Sequence, residues 1–204
     1  MKRLFFLFVL AIASVSAKAG PPVILVYGDS ISAAYGLESV EQGWVELLKT
    51  RLKQQGYVYQ VVNASVSGET TAGGLARLPR ALQVQHPKIL VVELGGNDGL
   101  RGLPLAQMRA NFSQMIDLAT AAGAKVLLLG MRMPPNYGPE FTEQFHAVFT
   151  ALAREKKTAL VDFLLDGTAV DPKLIQADDI HPNAAAQPIL LNNVWPALQP
   201  LLQK

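Results

Sequence analysis

The chain contains no cysteine. That excludes a disulfide framework, a zinc finger, an iron–sulfur site and a thiol nucleophile. Charge is sparse: only 17% of the 204 residues are Asp, Glu, Lys or Arg, while half are hydrophobic, so this is not a disordered chain. The 16 glycines and 13 prolines follow no fibrous period. Several functional signatures are missing as well. No G-x-G-x-x-G follows the first strand, and there is no phosphate-binding P-loop and no H-E-x-x-H. The G-x-S-x-G elbow of ordinary α/β-hydrolases is also absent.

What is present begins with an export leader. Lys2 and Arg3 precede the uncharged apolar run Leu4 to Val15, and Ala17-Lys18-Ala19 supplies a small-x-small cleavage pattern. The expectation is a signal peptide over residues 1–19, cut after Ala19, and a periplasmic or secreted protein. The run is short for a membrane span, which needs about 20 residues. No later apolar run is long enough either, so no integral membrane segment is expected after cleavage. Losing Lys2, Arg3 and Lys18 takes the 18 basic side chains to 15 against 16 acidic ones, a net charge of −1. A near-neutral surface argues against nucleic acid as a partner.

Residues 20–204 read as a single domain of alternating strands and helices. Val23–Tyr27, Tyr57–Val62, Ile89–Leu94, Lys125–Leu129 and Ala159–Phe163 are the candidate strands, several of them continuous apolar runs of the kind buried in parallel sheets. Helical periodicity marks Trp44–Gln55, Leu105–Ala122 and Glu140–Lys156, and Leu75–Gln85 with an interruption expected at Pro79. Ala184–Leu202 reads as a final helix kinked at Pro188 or Pro196. Pro134–Gly138 reads as loop. The predicted fold class is α/β, three layers, with a central parallel five-stranded sheet and helices on both faces.

In such sheets ligands bind beyond the carboxyl ends of the strands. The residues there are Gly28-Asp29-Ser30, Asn63 to Gly68, Gly95-Gly96-Asn97-Asp98, and the Arg132–Gly138 loop. Ser30 is a candidate nucleophile, although Asp29 and Ser30 taken alone also read as caps of the next turn. Of three histidines, His86 and His146 read as surface or packing residues. His181 lies in a polar loop three residues after Asp178, a spacing that lets a carboxylate orient the imidazole; Asp178 to Pro182 equally fits a cap for the last helix. Gly68 can turn its N–H toward a ligand, and Asn97 can offer a side-chain amide. Together with the Ser30 N–H these are the donors an oxyanion hole needs, where one donor is worth about 3 kcal/mol.

Gly28-Asp29-Ser30, Gly68 within Asn63 to Thr70, Gly95-Gly96-Asn97-Asp98 and Asp178-x-x-His181 resemble, in order, the four blocks of the SGNH (GDSL) hydrolase family. The strings Gly74–Pro79, Glu93–Gly102 and Pro134–Gly138 are similar to its bacterial periplasmic branch of thioesterases, lysophospholipases and arylesterases. The resemblance implies a flavodoxin-like SGNH fold and a serine esterase that forms an acyl-enzyme, with small acyl esters or thioesters as substrates. It implies Ser30, His181 and Asp178 as catalytic residues, and Ser30, Gly68 and Asn97 as the oxyanion hole. It also implies an acyl groove touching Ile31, Leu100, Leu103 and Tyr137. No cofactor and no metal are expected, and a monomer is. Many relatives carry glycine where this chain has Asp179. A carbohydrate O-acetylesterase on the same fold is the alternative enzyme, and a non-catalytic lipid- or glycan-binding module the alternative from another class.

Overall fold

The computed structural model describes residues 20–204. The predicted signal peptide, 1–19, lies outside the described residues. Five strands form one parallel sheet: β1 (Val23–Gly28), β2 (Gln60–Asn63), β3 (Ile89–Glu93), β4 (Lys125–Leu129) and β5 (Ala159–Val161), in the order β2-β1-β3-β4-β5. The helices are α1 (Trp44–Gln54), α2 (Thr71–Gln85), α3 (Gly96–Leu100), α4 (Leu105–Ala121), α5 (Pro139–Lys156) and α6 (Gln187–Leu198). α1 packs with α6, while α2 packs with α4 and α4 with α5, so helices cover both faces. The predicted three-layer α/β fold is the one observed.

The apolar runs explain the centre. Ile24 to Tyr27, Ile89 to Val92 and Leu127 to Leu129 are buried, as strands covered on both faces must be. Helix α1 turns Trp44, Val45, Leu48 and Leu52 inward, and α4 turns Met108, Phe112, Met115 and Ile116 inward, both at helical spacing. The chain leaves β1 toward β2 and then crosses back to β3. The strand order therefore reverses between β1 and β3, the place at which open α/β sheets bind ligands at their carboxyl ends. Gly28 pairs with Glu93 at that point.

Several sequence expectations need correction. Pro79 does not interrupt its helix. α2 starts at Thr71, behind a cap in which the Thr70 side chain accepts from the Gly73 N–H, and runs through Pro79. Leu78 and Leu82, both buried, hold that face on the core across the hydrogen bond proline cannot make. The final helix is α6 alone, flanked by 3-10 turns at Ala184–Ala186 and Gln199–Leu201. Pro188 sits in its first turn, where a missing N–H costs nothing. The second and fifth strands are shorter than expected, and Pro134–Gly138 contains a 3-10 turn, Pro135–Tyr137. Helix α3 was not foreseen, because its two glycines read as loop.

Candidate active site

The chain turns sharply after β1. The Ala33 N–H donates to Asp29 O (3.0 Å) and the Tyr35 N–H to Ser30 O (3.1 Å), so Ser30 stands on a tight turn, partly exposed. Far along the chain, the loop before α6 brings His181 to the same rim. His181 Nε2 lies 2.8 Å from Ser30 Oγ, and its Nδ1 lies 2.6 Å from Asp178 Oδ2. Asp178 also accepts the Ile180 and His181 backbone N–H groups, both at 3.0 Å. Partial burial pushes its carboxyl up, but these bonds and the imidazole outweigh that and hold it down at about 2. An ionised Asp178 only accepts, so Nδ1 carries the proton and Nε2 is left to accept from the serine hydroxyl.

Asp179, next in that loop, has an uncommon backbone conformation. Its φ is +59°, in the left-handed region that glycine enters freely and Asp tolerates. Asp179 thus makes the left-handed turn, and Asp178 keeps its place beside the ring.

The donors come from the neighbouring strand ends. Gly68 has φ +77° within the turn in which the Glu69 N–H donates to Val66 O (3.1 Å), a position that calls for glycine. Val66 N–H donates to Gly28 O (3.0 Å), and Arg101 Nη2 donates to Gly68 O (2.9 Å), holding the turn before and after the Gly68 N–H. Among the described residues, neither the Ser30 nor the Gly68 N–H is taken by a protein acceptor. Asn97, in α3, donates one Nδ2–H to Asp29 Oδ2 (3.0 Å). That carboxylate fixes which way the amide points and leaves its second N–H for a ligand.

Two acidic residues lie beneath the serine: Asp29, which the sequence offered only as a cap, and Glu93, which it passed over. Asp29 is 2% exposed and Glu93 0%. Glu93 Oε2 accepts the backbone N–H groups of Asp29 (3.1 Å) and Ser32 (3.2 Å), whereas Oε1 has no partner. A Cβ on Gly28 would come within 2.5 Å of Glu93 Oε2, so glycine is required there. Burial first, and the neighbouring Asp29 charge second, push the Glu93 carboxyl well above its ordinary range. Burial pushes Asp29 up too, with the bonds from Ile31 and Asn97 opposing it. The signal for Glu93 was in plain view: an acid inside the apolar run Ile89–Leu94.

The groove candidates divide. Tyr137 (38% exposed) and Leu103 (36%) face solvent, and Tyr137 Oη lies 3.4 Å from Leu100 O, which brings those two loops together. Ile31 instead packs into the hydrophobic core. His86 ends α2, and His146 Nε2 lies 3.2 Å from Asp162; neither approaches the serine.

Residues 26–188 match the model of the GDSL-like lipase/acylhydrolase family. The chain belongs to that family. Over 202 residues, 99% of this chain and 100% of the relative, it is 54% identical to esterase TesA of Pseudomonas aeruginosa. It is 39% identical to thioesterase 1/protease 1/lysophospholipase L1 of Escherichia coli over 197 residues, 97% of this chain and 92% of the relative. The crystal structure of a TesA superposes with a TM-score of 0.87 at 58% identity, covering 88% of this chain and 99% of the other. The family, the fold and the class of serine carboxylic ester hydrolase expected from the four blocks all hold.

Proposed function

We propose that this GDSL-family esterase hydrolyses acyl esters and thioesters by two-step acyl transfer at Ser30. The observation that carries this reading is the continuous chain Ser30 Oγ, His181 Nε2, His181 Nδ1, Asp178 Oδ2, at 2.8 and 2.6 Å. His181 takes the serine proton as Oγ attacks the acyl carbonyl. The oxyanion is held by the Ser30 and Gly68 N–H groups and the free Nδ2–H of Asn97. The bond to the alcohol or thiol breaks as His181 returns the proton to it, and water then repeats the sequence to free the acid. Asp178 keeps the imidazole in the required tautomer and stabilises its protonated form.

The acyl chain is assigned to the surface between Leu100, Leu103 and Tyr137, where apolar side chains flank the oxyanion donors. Ile31 supports this wall from the core. Export behind a leader cut after Ala19, action on small acyl substrates as a monomer, and a periplasmic location complete the proposal. Among the described residues, no helix is long and apolar enough to cross a membrane.

A series of p-nitrophenyl esters of increasing chain length tests the reading. Turnover is expected to rise beyond acetyl and to vanish in Ser30→Ala. Activity on acetyl esters alone would replace it with an O-acetylesterase. Full turnover by a clean Ser30→Ala preparation would remove the nucleophile assignment.

A further inference from the structure

Tyr35 is a large aromatic residue in an unusual position. Its ring centroid lies 4.8 Å from that of His181, with the planes tilted by 46°. Yet Tyr35 is 53% exposed. A core aromatic would bury its ring, and an ordinary surface tyrosine would have no fixed partner. Tyr35 has one face on the imidazole and leaves the rest of its surface to solvent.

Its backbone is held at both its N–H and its carbonyl. The Tyr35 N–H donates to Ser30 O (3.1 Å), and Gln176 Nε2 donates to Tyr35 O (2.8 Å). The same Gln176 nitrogen donates to Pro182 O (3.1 Å), and the Gln176 N–H donates to His181 O (2.7 Å). One glutamine therefore ties the segment after the serine to the loop that carries the histidine. Ala34 has φ +60°, a strained value for a residue with a Cβ, and Gly36 has φ +72°. Strain of this kind persists where the surroundings hold it, and it concentrates at functional sites.

The chemistry says what passes that ring. In acylation the bond from Ser30 Oγ to the acyl carbon forms and the bond from that carbon to the leaving oxygen or sulfur breaks. The serine proton travels through His181 Nε2 to the leaving atom. The leaving atom must therefore come within hydrogen-bond reach of Nε2. The ring of Tyr35 lies against that same imidazole, 4.8 Å from it centroid to centroid. A group attached to the leaving atom at Nε2 is therefore within reach of the exposed ring of Tyr35.

We propose that Tyr35 is the leaving-group platform of this site: its exposed ring, fixed against His181, selects flat aromatic alcohols over small aliphatic ones. The assignment rests on the reading of Ser30 and His181 given above and adds a specificity-determining residue to it. The acyl-enzyme formed from any two esters of one acid is identical. A leaving-group contact therefore acts on kcat/KM, which reports acylation, and not on the deacylation rate.

The test compares phenyl and trifluoroethyl esters of the same short acid, both activated, in the wild-type chain and in Tyr35→Ala, Tyr35→Leu and Tyr35→Phe. The ratio of kcat/KM for phenyl over trifluoroethyl is expected to fall about three- to tenfold in Tyr35→Ala, the scale of one lost aromatic pair. It should fall less in Tyr35→Leu, which keeps bulk in the segment, and stay near wild type in Tyr35→Phe. Equal losses on both esters would mean that Tyr35 merely steadies His181, and would overturn the proposal, as would an unchanged ratio. A wild-type chain that cleaves neither ester and takes up no fluorophosphonate would bring down the hydrolase reading itself. A chain that labels and turns over with an unchanged ratio would bring down only the Tyr35 assignment.

Discussion

The two halves of the proposed catalytic pair are built in opposite ways. Ser30 stands on the sheet, over two carboxyls that are almost wholly buried, and its turn is fastened to β3 by backbone bonds to Glu93. His181 and Asp178 hang on a loop near the surface, with side chains 16% and 38% exposed, held by hydrogen bonds rather than by core packing. The position of the proposed nucleophile is therefore tied to the stability of the fold, while alteration of the proposed base is expected to cost little stability. Damage on the loop should be read in kcat, and damage under the serine in both kcat and stability.

The largest effect that sharpens this contrast is expected from the loop. Asp178→Asn keeps the shape but favours the wrong imidazole tautomer, so kcat should fall about 10⁴-fold. Its melting temperature should fall only slightly at neutral pH, by the small share that the ionised, exposed Asp178 contributes. A loss of activity that merely tracked unfolding would erase the distinction between the halves. Next comes Asn97→Ala, which removes one oxyanion donor and should cost about 10²–10³ in kcat with little change in KM. A rise in KM alone would move Asn97 from transition-state stabilisation to substrate binding.

Beneath the serine the expected effects are in stability. The folded Glu93 carboxyl titrates well above its ordinary value, so the folded chain binds this proton more tightly than the unfolded chain does. Its contribution is complete below the unfolded value of about 4.3 and is lost as pH rises toward the folded one. Glu93→Gln does not titrate. Its melting temperature relative to wild type should therefore climb as pH rises from acid to neutral, and a difference that stayed flat would contradict a neutral buried Glu93. Glu93→Ala strands the Ser32 N–H, while the Asp29 N–H keeps the Glu93 carbonyl as acceptor (3.1 Å), and should lose about 1–3 kcal/mol at any pH.

The smallest effect belongs to Asp178. Its folded value is depressed to about 2, so its share of stability is present above the ordinary carboxylate range and is lost as pH falls through that value. Wild type should lose stability more steeply than Asp178→Asn across that acid window, and equal slopes would deny that the hydrogen bonds from His181 and Ile180 hold the Asp178 carboxylate.

Much of this was legible in the chain. Each of the five strands was placed, because buried parallel strands are written as short apolar runs ending in glycine or polar residues. Ser30, Asp178 and His181 could be named because their blocks fall at strand ends and loops that only one topology brings together. Helix α3 was hidden because Gly96 and Gly99 carry no helical periodicity. It forms because Gly99 fits where a side chain would strike Met133 and Phe145, and because Asp98 accepts the Thr71 N–H (2.8 Å). Tyr35 and Gln176 carried no local signal at all. Their partnership spans 141 positions and exists only once the loop has closed over the serine.

The most direct measurement is covalent labelling by a fluorophosphonate, followed by mass analysis of the modified peptide. One adduct per chain on Ser30 is predicted for the wild type, with none in Ser30→Ala and a marked slowing in His181→Ala. An adduct on another residue, or labelling undiminished when Ser30 is removed, would contradict the account.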